Sequence, residues 1–394
     1  MINKRIIPYG KQWLFKEDIN SVANVLRSDW ITQGPKIKAF EDAICNYCGC
    51  KYAVVVSSGT AALHIACLAA GLKKGDQAIT TPLTFLATAN SVLYSGAEVI
   101  FADIDYATGN IDTRQIEKKI TRKTKVLLPV DFAGLPCDLS EIKKIAKRYK
   151  LLVIEDSCHA LGATYKNSKI GDCNYSDMTI FSFHPVKHIT TGEGGAITTN
   201  SKKLYNRLIA LRNHGMCKKA QTLKKEGSWY YEMNYLGFNY RITDLQSVLG
   251  LSQINKLPLF IKRRNLIANR YDQAFFCFRD LLTLPSINYG DRTHAWHLYT
   301  LRLNMAKKYI SRRQLFELLH KEGVRVQVHY IPITRQPYYR EKGFKSSLFP
   351  NAEKYYENVI SLPIYPKMDN SDIDYVIGVV SKIIDKYCRQ GGSK

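Results

Sequence analysis

Seven short apolar runs along residues 52–199 set the strongest limit on how this chain can fold. Several of the runs are apolar at consecutive positions, which is typical of strands buried on both faces of a mostly parallel sheet. Helix-like segments such as 60–72 and 138–150 lie between the runs, so the pattern predicts an open α/β sheet. Ligands of such sheets bind beyond the carboxyl ends of the strands. We predict strands at 52–58, 77–81, 98–104, 125–131, 151–156, 178–183 and 196–199.

After residue 245 the pattern changes to long helices with isolated strands. A helical stretch covers 244–276 with an interruption at Pro258, and a last helix is expected at 372–387. The change indicates a smaller α/β domain that packs on the first. Between the two helical stretches we predict a strand at 298–303, a helix at 311–323 and a strand at 324–330. For the whole chain we predict an N-terminal arm at 1–16, a large domain at 17–250, a small domain at 251–388 and a disordered tail at 389–394.

The composition is that of an ordinary soluble protein. Of the 394 residues, 45% are hydrophobic and 23% are charged. No apolar run is long enough to span a membrane, and the first residues lack the apolar core of a signal peptide, so we expect a cytoplasmic protein that binds no membrane. The net charge of +23 raises nucleic-acid binding as an alternative. We expect no nucleic acid, because the lysines are scattered, and a basic surface also suits anionic nucleotide sugars.

Cysteine usage gives no sign of a metal site. The chain has ten cysteines, of which Cys45, Cys48 and Cys50 lie close together in sequence. A zinc site is the alternative for these three, but no second Cys/His cluster completes four ligands. We therefore expect free thiols in a reducing compartment and no bound metal.

Three short motifs together describe a cofactor site. The turn Ser58-Gly59-Thr60 ends a strand and begins a helix, where exposed amides and the helix dipole favour an anion, although a plain helix cap is the alternative. Asp156 ends another apolar strand, either facing a ligand or capping the next turn. Lys187 follows 31 positions later, and a buried lysine suits Schiff-base chemistry. A phosphate turn, a carboxylate and a lysine are the parts of a pyridoxal 5′-phosphate (PLP) site.

The chain resembles the DegT/DnrJ/EryC1/StrS family of sugar aminotransferases. The resemblance implies the PLP-dependent transferase fold type I, which is aspartate aminotransferase-like, with a mostly parallel seven-stranded sheet. Within the family the chain most resembles the pseudaminic acid branch. The resemblance covers nearly the whole chain and is carried by TQGPKIKAFE (32–41), SSGTAAL (57–63), TPLTFLATAN (81–90), EDSCHALGA (155–163), SFHPVKHITTGEGG (182–195), LRNHGM (211–216), GFNYRITDLQSVLGLSQ (237–253), QVHYIPI (327–333) and SLPIYP (361–366).

The resemblance also implies roles for residues around the cofactor. Lys187 would bond the cofactor aldehyde and later move a proton, and Asp156 would pair with the pyridinium nitrogen. Phe85 would stack on one face of the ring, with His159 near the opposite side. Packing in the protein core is the alternative for Phe85 and His159. The phosphate would be held by Ser182 and by the turn of Ser58, Gly59 and Thr60.

Further implied roles concern the partner subunit and the substrate. Asn239 would reach the phosphate of the neighbouring subunit, which makes a homodimer with shared active sites the expected assembly. The residues that would line the nucleotide-sugar cleft are Tyr9, Asp29, Trp30, Ile31, Thr32, Gln327, Val328, His329 and Tyr330.

The implied activity is amination of a UDP-4-keto-6-deoxy amino sugar at C4, with L-glutamate as the amino donor. An aminotransferase for another nucleotide keto-sugar, of the bacillosamine or dTDP-sugar type, is one alternative. A sugar dehydratase is a second, but those enzymes carry histidine at the position of Lys187. A non-enzymatic regulator with an aminotransferase-like domain is a third. The sugar stereochemistry, the amino donor and the glycan that receives the product stay open.

Overall fold

The seven predicted runs form one sheet in the computed structural model, which describes residues 5–217, 225–285, 290–304 and 310–389. The strands are β1 Tyr52–Val56, β2 Gln77–Thr80, β3 Glu98–Phe101, β4 Thr124–Leu127, β5 Leu152–Asp156, β6 Met178–Ser182 and β7 Gly195–Thr199. Their order across the sheet is β1-β7-β6-β5-β4-β2-β3. Strand β7 is antiparallel to both of its neighbours and the other pairs are parallel, so the sheet is mostly parallel as predicted.

Helices cover both faces of this sheet. Along β1, Val54 and Val56 belong to one buried cluster whereas Ala53 and Val55 belong to a second, because successive side chains of a strand point to opposite faces. The helices of this part are α1 Lys16–Leu26, α2 Pro35–Cys48, α3 Gly59–Ala69, α4 Leu86–Tyr94, α5 Thr113–Ile116, α6 Leu139–Tyr149 and α7 Lys202–Arg212. Side chains of α3, α4 and α7 pack in the first cluster, and those of α2 and α6 pack in the second.

The C-terminal part is built around a smaller sheet and a third buried cluster. Strands β8 Leu282–Thr283, β9 Tyr299–Leu303 and β10 Val359–Leu362 form an antiparallel sheet in that order. The third cluster joins this sheet to the long helices that pack on it. The helices of this part are α8 Asp244–Ile254, α9 Leu257–Phe275, α10 Arg312–Lys321, α11 Pro337–Glu341, α12 Pro350–Asn358 and α13 Asn370–Ile384.

Two local predictions differ from the structure. Pro258 does not interrupt one long helix but stands in the first turn of α9, where no helical hydrogen bond requires its missing amide hydrogen. The predicted strand at 324–330 is wrong, because Val324 and Gln327 make only isolated bridges, to Ile7 and Ser361. The segment passes between two neighbours and pairs with each at a single residue.

The predicted domain boundaries stay a prediction. Helix α8 runs across residue 250, and the first buried cluster includes C-terminal side chains such as Leu298 and Tyr355. Of the predicted tail, residues 390–394 lie outside the described residues. Within the described ranges no helix is long and apolar enough to cross a membrane. The same ranges contain no group of three His, Cys, Asp or Glu residues that could hold a metal ion.

One buried carboxylate joins the beginnings of two helices. Asp244 is fully buried at the start of α8, and its carboxylate accepts hydrogen bonds from the amides of Gly34 (2.7 Å) and Lys36 (2.9 Å) at the start of α2. The Asp244 amide in turn donates to the carbonyl of Ile31 at 3.0 Å. This residue therefore fixes the chain before α2 against α8.

Replacing Asp244 with alanine should lower stability by about 2–4 kcal/mol, because two backbone amides lose a buried acceptor. The thermal unfolding midpoint of the purified protein measures the change. The control is Asp42→Ala, which removes an exposed ion pair with Lys38 on α2 and should change stability by less than about 1 kcal/mol. Equal midpoints for the two variants would contradict the capping role of Asp244.

Candidate active site

A cavity of about 440 Å³ opens at the carboxyl edge of the large sheet. Strands β1, β5 and β6 all point toward this edge, so the residues that follow them come together there. The predicted site residues that line the cavity are Tyr9, Ser58, Gly59, Thr60, Phe85, Asp156, His159, Ser182, Lys187, His329 and Tyr330.

The turn between β1 and α3 forms a narrow cradle. Ser58 caps α3, since its Oγ accepts a hydrogen bond from the Ala61 amide at 3.0 Å. A methyl group added at Gly59 would lie 2.9 Å from Cβ of Ser182, and one added at Gly195 would lie 2.5 Å from the Ser58 carbonyl oxygen. Only glycine therefore fits at these two positions. The amides at the start of α3 have no partners inside the helix, and together with the Ser182 hydroxyl they suit a phosphate.

Asp156 lies at the end of β5 and is 5% exposed. Its Oδ2 accepts a hydrogen bond from the Thr88 hydroxyl at 2.7 Å, and its Oδ1 accepts one from the Cys158 amide at 3.3 Å. The Thr88 hydroxyl also lies 2.8 Å from that of Thr84. A carboxylate held in this way can accept a further hydrogen bond from a cationic ring nitrogen in the cavity.

Lys187 lies in the turn after β6, where its amide donates to the His184 carbonyl at 2.9 Å. Its side chain is partly buried and lines the cavity together with Asp156. Burial lowers the pKa of Lys187 below its ordinary value, and the nearby carboxylate of Asp156 opposes this shift. A lysine with a lowered pKa is a better nucleophile and proton acceptor near neutral pH.

Neutral histidines form the wall beside Lys187. Burial lowers the pKa of His159 and of His297 well below the usual range, and it lowers the pKa of His329 to about 3. The rings of His159 and His297 lie 4.2 Å apart, and the Nε2 atom of His159 lies 3.1 Å from the Tyr330 hydroxyl. These uncharged histidines therefore place no second positive charge beside Lys187.

Two aromatic side chains and the N-terminal arm complete the wall. Phe85 is 56% exposed, so it is not a core residue, and its ring lies 6.1 Å from that of Tyr330. Tyr9 is held because Ile7 pairs with Val324 and the Ile364 amide donates to the Tyr9 carbonyl at 3.3 Å. The Tyr9 ring lies 5.8 Å from that of His329. The arm thus brings Tyr9 to the cavity from the small sheet.

Other predicted residues do not reach this cavity within one chain. The main chain of Asn239 pairs with that of Asn213 on the surface. Trp30 and Ile31 are 56% and 52% exposed outside the cavity, and Gln327 is exposed while its main chain bonds to Ser361. The predicted residues that the cavity lacks are Asp29, Trp30, Ile31, Thr32, Asn239, Gln327 and Val328. Their roles stay predictions.

Several cavity residues were not predicted. Thr84 precedes α4 and Thr88 lies in its first turn, and their hydroxyl oxygens meet at 2.8 Å. His297 comes from the far C-terminal part, and no local pattern indicates it. The residues missed by the sequence analysis are Leu63, Thr84, Ala87, Thr88, Val130, Cys158, His184, Val186, Glu193 and His297.

The arrangement fits PLP. Amides and a hydroxyl for a phosphate, a carboxylate for a ring nitrogen and a lysine for an aldehyde all line one cavity. The aromatic ring of Phe85 also lines this cavity.

Comparison with known proteins points the same way. The DegT/DnrJ/EryC1/StrS aminotransferase family matches residues 13–381. An uncharacterized protein of Methanocaldococcus jannaschii is 44% identical over 388 residues, 98% of this chain and all of that one. The spore coat polysaccharide biosynthesis protein SpsC of Bacillus subtilis is 41% identical over 389 residues, 98% of this chain and 99% of SpsC. The UDP-4-amino-4,6-dideoxy-N-acetyl-β-L-altrosamine transaminase of Campylobacter jejuni is 37% identical over 390 residues, 97% of this chain and 100% of that enzyme.

Solved structures share the whole fold. PseC of Helicobacter pylori, an aminotransferase involved in the biosynthesis of pseudoaminic acid, superimposes with a TM-score of 0.87 at 34% identity over 96% of this chain and 99% of PseC. A Streptococcus pneumoniae protein described as a sugar aminotransferase, in its PMP form, gives a TM-score of 0.90 at 30% identity over 97% of this chain and 100% of that chain. The same protein is also known in its PLP form. These likenesses confirm the predicted fold class.

The lowered pKa of Lys187 predicts its reactivity in the cofactor-free protein. More of its amine is uncharged at a given pH than for an ordinary lysine, so an amine-acylating reagent at pH 7–8 should modify Lys187 ahead of the exposed lysines. Peptide mapping after brief labelling measures this, and added PLP should protect Lys187 only. Labelling of Lys187 that follows the pH dependence of exposed Lys202 would contradict the lowered pKa.

Proposed function

Because the chain belongs to the DegT/DnrJ/EryC1/StrS aminotransferase family, whose sugar aminotransferases depend on PLP, we propose that it aminates a UDP-4-keto-6-deoxy-N-acetyl-hexosamine at C4. L-glutamate is the proposed amino donor, and the product is UDP-4-amino-4,6-dideoxy-N-acetyl-β-L-altrosamine, for pseudaminic acid biosynthesis. The observation that carries the proposal is the pairing of Lys187 and Asp156 in one cavity of a chain that resembles such a transaminase along its length. The predicted cytoplasmic location is part of this proposal.

Bound PLP supplies an aldehyde that takes up an amino group and a ring that accepts the electron pair of a broken bond. Lys187 takes the proton from Cα of glutamate, and its lowered pKa suits it to act as this base. Asp156 holds a proton at the ring nitrogen, with Thr88 holding the carboxylate in place. The carbon skeleton of glutamate would leave as 2-oxoglutarate, and the amino group would stay in the site.

The second half reverses these proton movements on the sugar. Lys187 would deliver a proton to C4 of the sugar while the ketone oxygen leaves as water and the amino group takes its place. Departure of the amino sugar would leave Lys187 free to bond the cofactor aldehyde again. Phe85 and His159 line the same cavity as Lys187 and would lie on opposite sides of the cofactor ring.

The proposed substrate rests on similarity and on charge. Relatives from Campylobacter jejuni named as altrosamine transaminases are 37% and 36% identical to this chain along its length. A net charge of +23 favours a substrate with a diphosphate. A second candidate is an aminotransferase for another nucleotide keto-sugar, because SpsC of Bacillus subtilis, a spore coat polysaccharide biosynthesis protein, is 41% identical.

We propose a dimer because the cavity of one chain has few cationic side chains to bind two phosphate groups. Among the described residues that line the cavity, Lys187 is the sole lysine or arginine, although a nucleotide diphosphate and a cofactor phosphate both need cations or donors. The segment that carries Asn239 exposes large apolar side chains, including Trp229 (77%), Met233 (65%) and Leu236 (79%). A partner subunit would cover these side chains and bring Asn239 to the phosphate cradle.

If sites are shared, inactive subunits should complement each other. Lys187→Ala disables a site through its own chain, whereas Asn239→Ala disables the site of the partner subunit. Co-refolding the two variants should give mixed dimers with one intact site and up to about half of wild-type activity. Each variant refolded alone is the control, with activity far below that level. Absence of recovery in verified mixed dimers would contradict the shared site.

The enzyme should distinguish the L-arabino and D-xylo 4-keto sugars, which differ in configuration at C5. We expect the enzyme to prefer UDP-2-acetamido-2,6-dideoxy-β-L-arabino-hexos-4-ulose to the 4-keto sugar of the D-xylo series. One pocket cannot hold both C4 carbonyls equally near Lys187, and a misplacement of about 1 Å can cost about 100-fold in rate. The ratio of kcat/KM on the two purified ketones measures the preference.

An equal or reversed ratio would move the assignment to a bacillosamine-type enzyme and leave the aminotransferase class intact. Incubation of each ketone without glutamate is the control for spontaneous epimerisation.

A further inference from the structure

A chain of two buried hydroxyls leads to the carboxylate of Asp156. Thr84 and Thr88 are 3% and 1% exposed, and their hydroxyl oxygens lie 2.8 Å apart. The Thr88 oxygen lies 2.7 Å from Oδ2 of Asp156. Both threonines also line the cavity.

The direction of these hydrogen bonds follows from the number of hydrogens that each group can donate. An ionised carboxylate can only accept, so Thr88 donates its single hydroxyl hydrogen to Asp156. Thr88 then has no hydrogen left for Thr84, and Thr84 must donate to Thr88. Both hydroxyl dipoles therefore point their positive ends toward Asp156, and each bond strengthens the next.

We propose that Thr88, supported by Thr84, is a positioning residue that holds the Asp156 carboxylate oriented toward the ring nitrogen of the cofactor. The inference rests on the proposed function only through its cofactor and needs no particular sugar. A second hydrogen bond to the carboxylate comes from the Cys158 amide and is longer, at 3.3 Å. The Thr88 bond is thus the shorter of the two, and it comes from a different element.

The same turn also sets the place of Phe85. Phe85 precedes the first residue of α4, and the Thr88 amide donates to the Phe85 carbonyl at 3.2 Å. The side chain expected to stack on the cofactor and the hydroxyl that holds Asp156 are therefore parts of one helical turn. A shift of this turn would move both together.

Other charged or titratable groups face Asp156 from its neighbours. These are Lys187 after β6, Cys158 and His159 after β5, Asp131 after β4 and Tyr330 from the C-terminal part. None of them is changed when Thr88 is replaced. A difference between wild type and a Thr88 variant therefore reports the hydroxyl.

The test compares Thr88→Val, Thr88→Ser and Thr84→Val. Valine keeps the shape of threonine and removes the hydroxyl, so Thr88→Val should weaken PLP binding to the cofactor-free protein about 10-fold to 100-fold. The visible absorption of bound PLP and its pH dependence should also change, because the ring nitrogen keeps its proton less well. Thr88→Ser should restore both, and Thr84→Val should have a smaller effect in the same direction.

The matched control is Ser91→Ala, one turn further along α4. Its buried hydroxyl donates to the Thr88 carbonyl at 2.8 Å and does not contact Asp156. Ser91→Ala should leave the PLP affinity and the spectrum as in wild type, even if stability falls. Circular dichroism and the unfolding midpoint of each variant separate misfolding from loss of the hydroxyl.

A folded Thr88→Val protein with wild-type PLP affinity and spectrum would overturn the proposal, as would a Thr88→Ser protein that behaves like Thr88→Val. If wild type binds PLP but aminates no UDP-keto-sugar, the proposed substrate fails while the Thr88 comparison still decides this inference.

Discussion

The site depends on how closely the backbone of three strands meets at one edge of the sheet. A Cβ at Gly195, the first residue of β7, would lie 2.5 Å from the Ser58 carbonyl oxygen, and one at Gly59 would lie 2.9 Å from Cβ of Ser182 at the end of β6. These contacts leave no room for a Cβ, so the amides at the start of α3 stay near the end of β6. Lys187 follows five residues after Ser182, so the position of the lysine relative to the phosphate cradle is a consequence of this packing.

Burial then sets the protonation of the groups around that edge. The pKa of Lys187, of His159 and of His297 all move toward the uncharged form, with desolvation as the largest cause in each case. Asp156 is as buried as these two histidines, and its carboxylate accepts hydrogen bonds from a hydroxyl and an amide. The wall therefore combines neutral bases with the buried carboxylate of Asp156, a combination that suits binding a cationic ring and moving a proton.

The sequence predicted the parts of the site that strands carry. Asp156 and Ser182 end strands, and Lys187 follows one, so the βαβ pattern was sufficient to bring them to one edge. It could not predict Thr88 and His297, because their places depend on how α4 and the C-terminal part pack against that edge. The strand expected at 324–330 failed for a related reason: alternating burial indicates two sides but does not provide a partner along the whole segment.

The predicted site residues that lie outside the cavity share one feature, which is that they lie in exposed segments with large apolar side chains. Asn239 lies on a segment whose large apolar side chains are exposed, and the chain before α2 is fixed to α8 by Asp244 but leaves Trp30 and Ile31 exposed. Residues that serve a neighbouring subunit must be held by their own chain and yet face outward. In a single chain such residues lie on exposed apolar surface, and for Asn239 the resemblance to the family, not the strand pattern, indicates which cavity it would complete.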